Sequence, residues 1–370
     1  MTDFSREDCE LMARALQLAR KGIYSAHPNP RVGCVLAREG RIVGEGWHRK
    51  TGEAHAEIVA LSDAGGEAGG STAYITLEPC AHHGKTAPCT DALIEAGVAE
   101  VVVAMKDPFH EVDGDGLETL KGAGINVRTG LMADEAARLN QGFISRVMRK
   151  RPFVRLKTAA SLDGCTAMED GESQWITGPE ARADVQRLRA SSGAVLTGIG
   201  TVVADDPSLN VRQEGLVRDG MQPLRVILDT GLRMPLSARM LTLPGYTAVF
   251  CIDDGNRAAI EEAGASVYVV PGQDDRADLG EVLKKLAELG INDVLAEAGQ
   301  TLAGSLLGGG HVDELVIYQS PHIMGNLTRR MFDTPAWKKM DQRMRLDIVD
   351  VRRVGADTRI TARPANNCEE

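Results

Sequence analysis

HAE at positions 55–57 and EPCAHHGKTAPC at 78–89 decide how the N-terminal part of this chain is read. His55 and Glu57 open EAHAEIVALSDAG, whose apolar spacing predicts a helix. Cys80 follows TAYITLE, which reads as a buried strand, and Cys89 opens TDALIEAG, a second helix. One imidazole and two thiolates are three of the four ligands of a tetrahedral zinc, and the fourth position is then left to water. Free N–H groups at a helix N-terminus favour the thiolate form. Glu57, two residues beyond His55, can move a proton at that water without binding the ion. Taken singly, each residue has a plain structural explanation: a satisfied polar histidine, or buried thiols. The conjunction of His-x-Glu, strand, Pro-Cys and second Cys is much rarer and points to a hydrolytic zinc site. A purely structural zinc has four protein ligands, and His82 or His83 could supply the fourth. Both are read here as pocket residues instead.

Composition narrows the possibilities around that site. A chain of 370 residues is long for one core, so two domains are expected. It is 43% hydrophobic and 25% charged, the balance of a globular protein, with only 4% aromatic residues, so its cores must be largely aliphatic. A net charge of −10 with no long Lys/Arg run argues against nucleic acid as a partner. No apolar stretch approaches the ~20 residues of a membrane span. The N-terminal MTDFSREDCE has no secretory pattern, which predicts a cytoplasmic protein. Seven scattered cysteines, at 9, 34, 80, 89, 165, 251 and 368, suit thiols or a metal rather than a disulfide framework.

Outward from the zinc motif the chain alternates strands and helices. REDCELMARALQLARKG is a helix; VGCVLA (32–37) and RIVGEGW (41–47) are strands around a turn at Glu39-Gly40. EVVVAM is a strand, followed by a loop full of Asp and Gly, and INVRTG is a short strand. ADEAARLNQGFISRVMRK reads as one long closing helix. The pattern predicts a three-layer α/β domain over 1–150, bounded by the basic RVMRKRP at 146–152. Residues 151–370 begin a second α/β pattern. PFVRLKTAAS is strand-like, GPEARADVQRLRASSG is a helix, and AVLTGIGT is a strand entering a glycine loop. LRVILD, TAVFCI, SVYVV, DVLAEAG and ELVIYQS are further strands, with ADLGEVLKKLAELG as a helix among them; the tail TARPANNCEE reads as frayed. The glycines of LTGIGTV and AEAGQTLAGSLL suit a phosphate near backbone N–H groups, although tight packing explains such glycines as often. GIGT is not the GxGxxG pattern, so a standard Rossmann domain does not follow.

HPNPRVGCVL, GWH, HAE, EPCAHHGKTAPC and AMKDPFHEVDGDGLETLKGAGINVRTG together resemble the deaminase domain of the bifunctional riboflavin-biosynthesis deaminase–reductases. The sequence departs where that family usually has a second Asn-Pro after Asp-Pro; here Phe109 and His110 stand. LKTAASLDG (156–164), WITGPEARADVQRLRASSGAVLTGIGTVVADDPSLNVR (175–212) and AEAGQTLAGSLL (296–307) resemble the family's reductase domain. The resemblance covers nearly the whole chain. It implies a cytidine-deaminase-like three-layer domain, with a five-stranded sheet, followed by a dihydrofolate-reductase-like domain. The implied cofactors are Zn2+ and NADPH. The implied substrate is a small molecule, a diaminopyrimidinone carrying a ribosylamino 5-phosphate, which is deaminated and then reduced from ribosyl to ribityl.

Site residues follow by the same resemblance. His55, Cys80 and Cys89 hold zinc, and Glu57 is the proton carrier. Asn29 hydrogen-bonds the ring and Asp107 contacts the ring or ribose; His48, His82 and Lys85 contact the sugar phosphate. Ala159, Trp175, Thr201, Asp205, Thr230 and the turn Gly299, Gln300, Thr301, Leu302, Ala303, Gly304, Ser305 line the dinucleotide. Ser173, Arg189, Leu209, Arg212 and Glu297 line the reductase substrate, with Arg189 and Arg212 as a phosphate clamp. Lys157 and Glu297 are the groups expected near the reacting carbon. Where the family often has Gly-Gly after this Glu, Ala298-Gly299 stands here. A homodimer joined through reductase domains is implied. Two other readings share the zinc motif: a nucleic-acid base deaminase with an accessory domain, and a non-catalytic zinc-stabilised module.

Overall fold

Ser5 starts the first helix by capping it. Its Oγ accepts the Asp8 N–H at 3.0 Å, and the Asp8 carboxylate accepts the Ser5 N–H at 2.8 Å. This is α1 (Arg6–Arg20) of a computed structural model that describes residues 4–81, 87–109, 114–217, 220–326 and 328–365. The chain divides into two units, Met1–Lys150 and Arg151–Glu370.

In the first unit β1 (Gly33–Arg38) and β2 (Arg41–Trp47) form an antiparallel hairpin. Glu39 and Gly40 both have positive φ, 52° and 76°, the geometry of a two-residue turn that matches strand twist. There follow α2 (Ala56–Ala64), β3 (Thr72–Ile75), α3 (Cys89–Glu95), β4 (Glu100–Val103), α4 (Asp115–Gly122), β5 (Asn126–Thr129), α5 (Ala133–Leu139) and α6 (Gln141–Arg149). The sheet order is β2-β1-β3-β4-β5, with β3, β4 and β5 parallel. Alternation along β1 sends Cys34 and Leu36 into one core with Ala56, Ala60, Leu93 and Leu120. Val35 and Ala37 go to the other face with Leu11, Ala15 and Ala136. Helices thus cover both faces.

Two expectations are corrected here. α4 forms inside the segment whose Asp and Gly content predicts a loop. The single long helix expected after β5 is two helices, because Asn140 leaves helical geometry at φ −113°. Its side chain instead accepts the Arg31 N–H at 2.8 Å and donates to the Arg31 carbonyl at 3.0 Å.

The second unit is built on a nine-stranded sheet. Its order is Ser266–Val269, Thr247–Cys251, Leu224–Leu228, Ala194–Gly198, Asp293–Glu297, β6 (Phe153–Ala160), Glu314–Gln319, Asp357–Pro364, Leu346–Val354. All but the last two strands run parallel. Those last two are a C-terminal hairpin that the expectation of a frayed tail misses: Thr361–Pro364 belong to its inner strand. After β6 come α7 (Pro179–Ala190) and α8 (Ile199–Asp205); α8 begins directly at the expected glycine loop.

Candidate functional site

His55 is the N-cap residue of α2, and Glu57 lies in that helix's first turn. Cys80 follows the exit from β3, and Cys89 is the first residue of α3. Thr90 ties the two cysteine segments together by donating its N–H and its hydroxyl to the Cys80 carbonyl, at 3.3 Å each. One donor atom from each of His55, Cys80 and Cys89 lies within 4.8 Å of the others. His55 Nδ1 is 3.2 Å from Cys89 Sγ and 3.6 Å from Cys80 Sγ. A tetrahedral zinc with ordinary Zn–N and Zn–S bonds sets its donors about 3.5–3.8 Å apart, so the set fits that ion. The hydrogen bond between the thiols lowers Cys80 and raises Cys89, and His55 beside them favours the Cys80 thiolate. A bound cation would favour the thiolate at both. Glu57 is 3% exposed, and its burial pushes the carboxyl up, toward the range where it can both take and return a proton.

Two glycines set this geometry, and the residue reading above gives them no role. A Cβ at Gly46 would sit 2.1 Å from the Ala56 carbonyl, and one at Gly44 2.3 Å from the Ala60 carbonyl. Their absence of side chains lets α2, with His55 and Glu57, lie directly on β2. The signal was present as glycines two apart on one strand face in RIVGEGW.

Asn29 and His48 lie beside the metal ligands. The His48 ring stands edge-on to His55 with centroids 5.4 Å apart. Its Nδ1 is 3.2 Å from the Ala54 carbonyl and its Nε2 3.1 Å from the Asn29 amide nitrogen. Nδ1–H thus donates to a carbonyl while Nε2 accepts from an amide, the pairing of a neutral ring, and burial lowers its pKa. Both ring nitrogens of His48 are thus met by protein groups, one of them the Asn29 amide. Asp107 is half-buried, and its Oδ1 accepts the Phe109 N–H at 2.9 Å. Phe109 is 39% exposed. His82, Lys85 and His110 lie outside the described residues.

In the second unit a cleft of about 1540 Å³ opens at the carboxyl ends of the parallel strands. Lys157, Ser173, Arg189, Leu209, Arg212 and Glu297 line it. So do Ala159, Trp175, Thr201, Asp205, Thr230, Gly299, Gln300, Thr301, Leu302 and Ser305. Ala303 and Gly304 do not. Ala303 is in the core, and a Cβ at Gly304 would meet the Asp333 carbonyl at 2.0 Å. Trp175 is 68% exposed, so it is no core residue, and the Arg182 guanidinium lies 4.6 Å from its ring centre.

The expected Arg189–Arg212 clamp is changed by a carboxylate. Arg189 donates Nε and Nη2 to Glu297, at 2.6 and 3.0 Å, and Nη1 to the Asn210 carbonyl at 3.0 Å. Its fork is matched to Glu297, and Arg212 is the exposed cation of the two. Glu297 and Lys157 are register partners on adjacent strands. Burial opposes the Glu297 charge, but Arg189 and then Lys157 outweigh it and hold the carboxyl below its usual value. Burial lowers Lys157 despite Glu297.

Fold and donor set define a two-domain enzyme class, a zinc-binding deaminase joined to a reductase. Residues 5–105 match the cytidine and deoxycytidylate deaminase zinc-binding region, and residues 152–360 match the RibD C-terminal domain. The riboflavin biosynthesis protein RibD of Escherichia coli (strain K12) is 45% identical over 360 residues, covering 95% of this chain and 98% of that protein. Acinetobacter baumannii RibD, form 1, is 44% identical with a TM-score of 0.92, covering 98% of this chain and 99% of that one. A Thermotoga maritima structure, described as a diaminohydroxyphosphoribosylaminopyrimidine deaminase/5-amino-6-(5-phosphoribosylamino)uracil reductase, is 34% identical with a TM-score of 0.86. It covers 97% of this chain and 99% of that one. The chain belongs to the RibD family of riboflavin biosynthesis proteins.

Proposed function

We propose that this protein deaminates a diaminopyrimidinone bearing a ribosylamino 5-phosphate and then reduces the ribosyl group to ribityl with NADPH. The observation that carries the reading is the convergence of His55, Cys80 and Cys89 around one point beside buried Glu57. Zinc, when bound, supplies a Lewis acid that makes a water nucleophilic near neutral pH. Glu57 takes the proton from that water and delivers it to the exocyclic nitrogen. The C–N bond breaks, ammonia leaves, and the water oxygen remains as the ring carbonyl, its second proton ending on the adjacent ring nitrogen. Asn29, oriented by His48, faces the ring, and Asp107 contacts the ring or ribose. His82 and Lys85 are assigned to the sugar phosphate.

The first unit, 1–150, is assigned this step and the second, 151–370, the reduction. The cofactor supplies a hydride to the ribosyl C1, and a proton from solvent or an acid completes the ribityl chain. Lys157 and the Arg189–Glu297 pair stand at the reacting end; Arg212 faces the phosphate. Thr201, Asp205, Thr230 and the turn from Gly299 hold the dinucleotide along the rest of the cleft. Both domains are spanned by the RibD relatives, which does not favour a nucleic-acid base deaminase.

The quaternary state is assigned as a homodimer through the second unit. Strand Leu346–Val354 is a sheet edge that exposes Ile348, Val349 and Val351, and such an edge calls for a cover. The cytoplasm is the assigned compartment: among the described residues no cysteine is paired in a disulfide. No described helix is long and apolar enough to cross a membrane.

Metal content and ammonia release on wild type and Glu57→Gln test the reading together. About one zinc per chain in both, with ammonia release lost only in the variant, is the expected outcome. Zinc without ammonia release in wild type would refute the substrate; no zinc would refute the site.

A further inference from the structure

Glu78 is a carboxylate, 4% exposed, that the chemistry above does not use. It immediately precedes Pro79-Cys80, and its own N–H donates to the Met105 carbonyl at 3.0 Å. Its Oε2 accepts the N–H groups of Asp107, at 3.2 Å, and Gly114, at 3.3 Å. Its Oε1 accepts those of Gly116, at 3.1 Å, and Leu117, at 3.4 Å. The first pair are the two ends of segment 107–114. The second pair lie in the first turn of α4, whose N-cap, Gly114, has no side chain to cap with. The cap is thus supplied from the zinc loop. Gly116 completes the contact, since a Cβ there would lie 2.2 Å from the Pro79 carbonyl. A local Ser, Thr or Asp would cap a helix without burying a distant carboxylate. What the distant residue adds is a fixed relation between two segments.

We propose that Glu78 is a positioning residue of the deaminase site: it locks the segment beginning at Asp107 to the Pro79-Cys80 zinc loop, so that Asp107 is held where bound pyrimidine meets it. The inference rests on the proposed contact of Asp107 with substrate. Glu78→Gln in the full chain replaces one acceptor oxygen by an NH2 that cannot receive backbone N–H groups. The expected result is unchanged zinc content and unchanged NADPH oxidation on already deaminated substrate. The deamination KM rises roughly 10- to 100-fold with kcat within about threefold, the pattern of lost uniform binding. Asp107→Ala raises KM as well, and the double variant is little worse than the worse single one, because both act on one segment.

An unchanged KM at full zinc overturns the proposal and leaves the zinc-deaminase reading standing. So does a defect that disappears when zinc is restored, which is a structural role only. A KM rise in Glu78→Gln with no effect of Asp107→Ala removes the Asp107 contact, and the proposal with it. The deaminase reading itself stands or falls separately, on the Glu57→Gln comparison.

Discussion

Arg189 and Glu297 show what a single residue pair decides in this protein. Both are nearly buried, with side chains 11% and 13% exposed, and each is the other's main counter-charge. Arg189→Met leaves Glu297 in the same low-dielectric site without its fork. The expected cost is about 3–5 kcal/mol, read as a lower melting temperature of the reductase unit. In that variant the Glu297 carboxyl moves up, because burial is then opposed mainly by Lys157. The zinc ligands were legible in the sequence because imidazole, thiol and carboxylate carry their chemistry in their type. The Arg189–Glu297 pair was not: the two are 108 positions apart, and type alone suggested a phosphate for the arginine. His48 is a similar case, since only the fold shows both ring nitrogens engaged.

At the scale of elements, backbone approach matters more than side-chain chemistry. Gly46→Ala must push α2 away from β2, because the Ala56 carbonyl and the Ala60 nitrogen stand 2.1 and 2.5 Å from the new Cβ. That variant is expected to lose zinc and ammonia release while NADPH oxidation on deaminated substrate persists, measured side by side. α1 is held differently. Asp8 accepts from Arg128 at 2.9 and 3.0 Å and from the Tyr74 hydroxyl at 2.7 Å. The Arg128 hydrogen bonds, against burial, hold its carboxyl far below the usual range. A depressed folded value means the contribution is complete above the unfolded pKa, near 4, and fades as pH falls through the folded one. Asp8→Asn is therefore expected to lose roughly 2–3 kcal/mol at neutral pH, with the gap to wild type closing in strong acid. Chemical denaturation at several pH values checks this. Strongly periodic elements were readable in advance. α4 was not, because its cap comes from Glu78 rather than from its own Asp- and Gly-rich start. The break at Asn140 was not either, because its cause is Arg31, far away in sequence.

The molecule as a whole carries two chemistries that depend on different groups. Removing zinc with a chelator is expected to stop ammonia release and leave NADPH oxidation on deaminated substrate untouched; stopped hydride transfer would refute this separation. The outer C-terminal strand makes the assembly testable too. Val351→Lys places a charge on an apolar edge, and light scattering is expected to show the proposed dimer in wild type and a monomer in the variant. The hairpin that carries this edge was missed in the sequence because its outer strand is exposed at almost every residue and shows no buried face to read.

The cleft of the second unit has a kinetic consequence. Lys157, Arg212 and Glu297 border the same continuous space as Thr201, Thr230 and Gly299. If sugar phosphate and dinucleotide share that space, neither product can leave before both reactants have met. No side chain has to store the hydride between visits. The reaction then passes through a ternary complex, and double-reciprocal plots at several NADPH concentrations intersect. A parallel set, the mark of a ping-pong order, would mean that the two ligands take turns in the cleft.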